Sequence, residues 1–337
     1  IGDANVEGKI DGNNISFIIP DGLENLTFAP TIVISDKATI TPASGVEQDF
    51  SSPVIYTVTS EDGIVTTKYT VSVSGQIRDF GFDEWETIKS STSGSTEQYD
   101  VPKGLYGTSN PGIMTINEMF GSNLPELFSY TVSPVEGQSG KAAKLQTVYT
   151  YMFLNGMDFN ALLGGLVPYV TAGSLFTGIF KTDMNNTLNS TKFGVPFVGE
   201  PATFTGYYKY TPGTTYYNNK NEVVADKTDE CSIYAVLYEE LLDEENNNIP
   251  LNGDYNDPDL YIGSSKRIVM KAVLEDGTAK SDWTKFSIPF KLLEGKSYDA
   301  TKKYYLAIVC SSSAEGDYFM GAPGSTLFID SFTVTPQ

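Results

Sequence analysis

The sequence predicts an all-β protein built from two consecutive β-sandwiches, a small immunoglobulin-like one and then a larger jelly roll. Three observations predict it. Its 337 residues include 21 Tyr, 19 Phe and 31 Gly but 2 Trp, a balance that favours strands and turns over helices. Short alternating apolar runs recur along the chain, bounded by Gly, Pro, Asn and Asp. The rhythm of these runs changes at Ser74-Gly75-Gln76-Ile77, which divides the chain into residues 1–76 and 77–337.

In the first part, Asp11-Gly12-Asn13-Asn14 separates Gly8-Lys9-Ile10 from Ile15-Ser16-Phe17-Ile18-Ile19, and Pro20-Asp21-Gly22 ends that run. Val54 to Thr59 and Thr66 to Val73 flank Glu61-Asp62-Gly63 and read as a hairpin. Val54, Tyr56 and Val58 share one face, as do Tyr69, Val71 and Val73. In the second part the strand candidates are Ala202 to Tyr210, Ile268 to Leu274, Lys285 to Phe290, Lys303 to Cys310 and Leu327 to Val334, with no amphipathic helices expected between them. Cys231 to Leu242 fits both a strand and a helical stripe. The strand is chosen, with Cys231, Ile233, Ala235 and Leu237 inward and an acidic loop following. The apolar segment from Met157 to Phe180 is broken by Asp158, Asn160, Pro168 and glycines, so it is expected to form core strands and a buried loop, not a membrane span.

With 42 Asp+Glu against 22 Lys+Arg and no His, the formal charge is −20. The missing imidazole excludes Ser-His-Asp and Cys-His catalysis and histidine ligation of metals. The acidity excludes nucleic acid as a partner, because phosphate backbones are repelled. Carboxylate chemistry, oxygen-ligand metals such as calcium, and recognition of neutral ligands are left. Cys231 and Cys310 could be bonded or separately buried; their apolar, alternating surroundings favour structural burial. Ile1-Gly2-Asp3 is an implausible natural start, so export must be read from other features.

Two stretches carry resemblances. Ala38-Thr39-Ile40-Thr41-Pro42-Ala43-Ser44-Gly45-Val46, Asp49 to Val54 and Lys68-Tyr69-Thr70-Val71-Ser72-Val73 resemble immunoglobulin-like modules that precede functional domains in Bacteroidetes surface lipoproteins. Phe80-Gly81-Phe82-Asp83-Glu84-Trp85, Gly140 to Thr147, Gly206-Tyr207-Tyr208-Lys209-Tyr210, Ser311 to Phe319 and Gly321 to Asp330 are similar to the putative carbohydrate metabolism domain family. The resemblance implies a jelly roll related to carbohydrate-binding modules on an exported, lipid-anchored protein. It also makes Trp85 and Trp283 core anchors. In such modules a Gly-Phe-acid opening and an Ile-Asp closing strand can share a structural calcium, which points to Asp83 and Asp330; calcium needs about six to eight oxygens. The alternative is that both acids hydrogen-bond to backbone.

Sugars present C–H faces that stack on aromatic rings and hydroxyls that need polar partners. Alternation puts Tyr234, Tyr238 and Glu240 on one outward face and Tyr207 and Lys209 on another, with Tyr216 and Tyr217 near a rim. Small residues from Gly316 to Ser325 form a tight loop in which Asp317 is the residue best suited to meet a hydroxyl. The expected function is non-catalytic glycan binding. Glycoside hydrolysis or lyase chemistry would need a pair among Glu239, Glu240, Asp243, Asp254, Asp257 and Asp317 to converge in a cleft. A fimbrial or adhesin subunit would need an incomplete sheet.

Overall fold

The computed structural model describes residues 6–21, 26–50 and 52–337. The chain forms two compact units: Ile1–Asp79 with Val198–Ala202 and Thr333–Gln337, and Phe80–Phe197 with Thr203–Phe332.

The first unit holds a five-stranded sheet in the order Lys9–Asp11, Asn14–Ile19, Thr66–Gln76, Val54–Thr59, Thr39–Thr41. The expected hairpin is present, with Val54 opposite Val71 and Tyr56 opposite Tyr69. Asn14–Ile19 runs parallel to Thr66–Gln76. Phe17, Ile19, Phe50, Tyr56 and Val71 form the core, in which the Phe17 ring meets Phe28 and Phe50 edge-on.

The second unit is an all-β sandwich. One face is a six-stranded sheet with the order Val132–Glu136, Lys141–Gln146, Thr326–Pro336, Pro201–Thr211, Lys280–Pro289 along its main path. The other is eight-stranded, with the path Tyr106–Thr108, Ser174–Phe180, Tyr304–Ser311, Ser232–Glu239, Ile268–Val273, Lys291–Leu292. All the strand candidates read from sequence are strands here, each within a few residues of its expected bounds. Period-two alternation explains the packing. Phe204, Tyr208 and Tyr210 of Pro201–Thr211 are buried, while Thr205, Tyr207 and Lys209 point outward. Phe204, Phe286 and Phe332 meet edge-on, and each Phe buried there contributes about 2–3 kcal/mol.

Ser232–Glu239 is the strand chosen at the sequence level, with Ile233, Ala235 and Leu237 facing the sandwich interior. Its other face does not look onto solvent. Val236 and Tyr238 are fully buried because Phe193, Leu251 and Ile262 pack over them, forming a second core outside the sheet with Phe176 and Val309. Two helices were not expected from the sequence: the four-residue Phe159–Leu162, inside the segment expected as strands and a buried loop, and Asn110–Phe120, which lies between the strands Tyr106–Thr108 and Val132–Glu136. Proline in its first turn suits a helix start, and the fully buried Asn110 side chain bonds both the N–H and C=O of Val132. Cys231 and Cys310 are buried free thiols, and burial pushes the Cys231 thiol up to about 12. Among the described residues no helix is long and apolar enough to cross a membrane.

Candidate functional site

The loops and helix packed over the eight-stranded sheet leave a cavity of about 260 Å³. Its floor is strand residues Phe176, Tyr234 and Val309, and its walls come from Ile116 and Phe120 of the helix and from Tyr261 and Ile262. The turn Gly316–Tyr318 brings Asp317 to it. The wall is mostly apolar, with hydroxyls from Ser109, Thr171, Ser174, Ser232 and Ser311 spaced around it. Among the described residues, Asp317 is the one charged residue of the wall, and no Lys or Arg lines it. An apolar wall with a few convergent polar groups is the make-up common to small-molecule sites, which makes this cavity the candidate.

Asp317 is reached by solvent through the opening but ringed by protein. Desolvation raises its carboxyl above the ordinary 3.8, against the opposing effect of a hydrogen bond from Tyr261. That Tyr261 hydroxyl lies 2.5 Å from Asp317 Oδ2. Burial raises the Tyr261 and Tyr234 phenols, and the charge on Asp317 adds to both. Beside the opening, exposed Tyr255 and Tyr318 stack at 5.1 Å, and Tyr255 meets the Tyr261 ring edge-on.

The turn carrying Asp317 is held from below by a residue the sequence reading passed over. Asp229 is 2% exposed, and its Oδ2 accepts from Ser313 Oγ at 2.6 Å, Ala322 N at 2.8 Å and Ser325 Oγ at 2.8 Å. Gly321 fits this arrangement because its φ is +158° and a Cβ would sit 2.3 Å from Ser313 Oγ. Glu315 accepts from Tyr216 and Lys227, anchoring the same loop from its other side. Phe319, on the cavity wall, holds a left-handed φ of 59°, a strained conformation for a large side chain that such over-determined loops can maintain.

The expected site residues do not form one surface. Tyr234 and Asp317 share the cavity. Tyr238 is on the same sheet face but buried, donating to Phe193 O at 2.6 Å, so it packs and does not face ligand. Glu240 lies at the end of that strand, outside the cavity wall. Tyr207 and Lys209 stand on the outer face of the opposite sheet. There Lys209 Nζ lies 4.8 Å from the Trp283 and Phe328 rings; Trp283 is therefore a half-buried outer-face residue and not a core anchor. Tyr216 is buried, and Tyr217 stacks on Tyr149.

Of the acids considered for a catalytic pair, only Asp317 reaches the cavity. Glu239 pairs with Lys302 at 2.7 Å, Asp243 and Asp257 bond to nearby backbone in their own turns, and Asp254 accepts from Asn186 and Asn256.

Asp83 and Asp330 do meet at one loop, but as acceptors of backbone amides. Asp330 Oδ2 takes Gln138 N at 2.7 Å and Ser139 N at 3.1 Å, and Asp83 Oδ1 takes Lys141 N at 2.8 Å. These bonds use one oxygen of each carboxylate and are the backbone-bonding alternative of the two sequence readings. Among the described residues no group of three or more His, Cys, Asp or Glu is placed to hold a metal ion.

The helix residues in the wall were missed at the sequence level, although Ser109-Asn110-Pro111 with Ile113, Ile116 and Phe120 at helical spacing signals them. Nothing local marks Tyr261, whose partner is 56 residues away.

Residues 81–335 match the family described as the putative carbohydrate metabolism domain. Residues 1–73 match a second family, described as SGBP, N-terminal. The chain is similar to a Bacteroides thetaiotaomicron protein of solved structure, described as a putative glycoside hydrolase: identity is 32% over 98% of this chain and 92% of that one, with a TM-score of 0.60. A Bacteroides vulgatus structure with the same description is 27% identical over 77% of this chain and 98% of its own, with a TM-score of 0.57. No curated protein matches the chain.

Proposed function

The chain belongs to the putative carbohydrate metabolism domain family, and from that premise we propose that it is an exported glycan-binding protein whose cavity on the eight-stranded sheet takes a sugar. The observation that carries this reading is the Tyr261–Asp317 pair at the opening of an apolar cavity, with Tyr234 below and the Tyr255–Tyr318 stack beside it. Aromatic faces accept the C–H side of a pyranose, and the carboxylate accepts from its hydroxyls. Because no cation lines the wall, the ligand that fits is a neutral saccharide.

The N-terminal match supports display at the cell surface, since SGBP denotes a surface glycan-binding protein. In this reading the first unit is a spacer and a lipid anchor lies upstream. Retention of the whole chain on neutral polysaccharides in affinity gels, compared with Asp317→Asn and Tyr261→Phe, tests the binding. Loss of retention in both variants supports the cavity, and equal retention of all three rejects it.

Glycoside hydrolysis is the second reading, favoured by the description of the two similar structures and by the raised Asp317 carboxyl. It requires a second carboxylate within reach, and Asp317 is the sole acid among the described residues of the wall. Release of reducing ends from polysaccharide, abolished by Asp317→Asn, would establish it. Strand donation to another subunit is disfavoured, because every strand of the described residues pairs within the chain.

A further inference from the structure

The geometry points to a second, separate binding face for an anionic oligosaccharide, on the outer surface of the six-stranded sheet around Lys209, Lys285, Trp283 and Tyr207. This goes beyond the cavity reading and does not depend on it.

The face is unusual for this molecule. In a chain of −20, with only 22 Lys and Arg, the adjacent outward positions bring Lys144, Lys209 and Lys285 onto one sheet. Lys209 Nζ sits between Trp283 and Phe328 at 4.8 Å from each ring, and Lys285 Nζ is 6.0 Å from the ring of Tyr207 across the strand pair. Among the described residues none of these three lysines enters an ion pair; Lys144 Nζ donates to Gln146 Oε1 at 3.1 Å. Away from Lys209 and Trp283, the next outward positions along the two strands are the uncharged Thr205 and Ser287, which pair with each other.

Uncompensated ammonium groups interleaved with half-exposed rings match a sugar strand bearing carboxylates. The rings stack on the pyranose faces, and the lysines meet the acid groups. A neutral glycan would leave the lysines unused. The cavity on the opposite sheet shows the reverse chemistry, with an acid and no cation.

The test is isothermal titration of the whole chain with an oligogalacturonide and with a neutral malto-oligosaccharide of equal length, at low and at raised salt. Variants are Lys285→Gln, Lys209→Gln and, as a cavity control, Asp317→Asn, each checked for an unchanged melt. Lys285 is exposed, so its variant reads binding without disturbing packing. The expected result is that the oligogalacturonide binds at least tenfold more tightly than the neutral probe. That binding weakens as salt rises, weakens about tenfold in each lysine variant, and is unchanged in Asp317→Asn. No oligogalacturonide binding, equal affinity for both probes, or binding lost in Asp317→Asn and kept in Lys285→Gln would each overturn the proposal. The last outcome would place the anionic ligand in the cavity. Failure of the cavity reading shows separately, as neutral-glycan binding indifferent to Asp317→Asn.

Discussion

The Tyr261 hydroxyl donates to Asp317 Oδ2 at 2.5 Å, joining the loop of residues 252–265 to the one charged side chain among the described residues of the cavity wall. A hydrogen bond to a carboxylate is stronger than one between neutral groups. It fixes the Asp317 carboxylate against the Tyr261 ring. The whole cavity reading depends on that pair being held in place. Asp317→Asn is therefore expected to weaken neutral-glycan binding about tenfold or more, and Tyr261→Phe by a smaller factor, with melting temperatures little changed. Calorimetric titration against a retained polysaccharide fragment checks both.

The pH dependence follows from the same residue. Burial raises the Asp317 carboxyl above 3.8, so on acidification it takes a proton at higher pH than an ordinary aspartate does. Binding that uses the carboxylate as acceptor should hold at neutral pH and decline as pH falls through the raised value. In Asp317→Asn this decline should vanish. An affinity-against-pH series on both proteins measures it.

Asp229 should matter for stability more than for binding chemistry. Its carboxylate satisfies two hydroxyls and the backbone N–H groups of Glu230 and Ala322 in a site that is 2% exposed. Asp229→Ala leaves those groups without an acceptor and should cost about 3 kcal/mol, a fall in Tm of roughly 6–12 °C. Desolvation raises the Asp229 carboxyl above 3.8, so the folded form holds the proton more tightly than the unfolded chain. Its contribution to stability is then largest below 3.8 and is lost as pH rises through the raised value. Asp229→Asn should lack that segment of the stability curve, which thermal melts between pH 3 and 8 would show.

Asp330 holds the amides of Gln138 and Ser139, and Gly140 is needed beside it because its φ is +62° and a Cβ would meet Asp83 Oδ1 at 1.9 Å. The account predicts a melt unmoved by a chelator, and a loss of about 2–3 kcal/mol in Asp330→Ala. A chelator-induced drop in Tm would show that calcium contributes after all.

In the first unit, Tyr56 is 1% exposed and its hydroxyl has no hydrogen-bond partner among the described residues, so the group is desolvated without return. Tyr56→Phe should be neutral or stabilise by up to about 1–2 kcal/mol, read from chemical denaturation.

The fold was legible wherever alternation governs. Pro201–Thr211 and Ser232–Glu239 show their inward residues in the sequence, and the hairpin around Glu61-Asp62-Gly63 shows its turn. The site was legible only in part. Asp317 and Tyr234 could be picked out by loop composition and period, but alternation reports which residues share a face, not what covers that face. Tyr238 was therefore placed toward a ligand when Phe193 and Leu251 lie over it. Tyr261, Asp229 and the helix wall act through contacts distant in sequence. The Asp83–Asp330 convergence was implied by the family resemblance, whereas its amide partners come from a loop between them.

The most direct measurement is a structure of the chain with a bound neutral oligosaccharide identified by affinity gels. The account predicts a sugar ring in the cavity, with a hydroxyl bonded to Asp317 and its apolar side against the aromatic wall. A sugar bound elsewhere, with the cavity unfilled and Asp317 untouched, would contradict it.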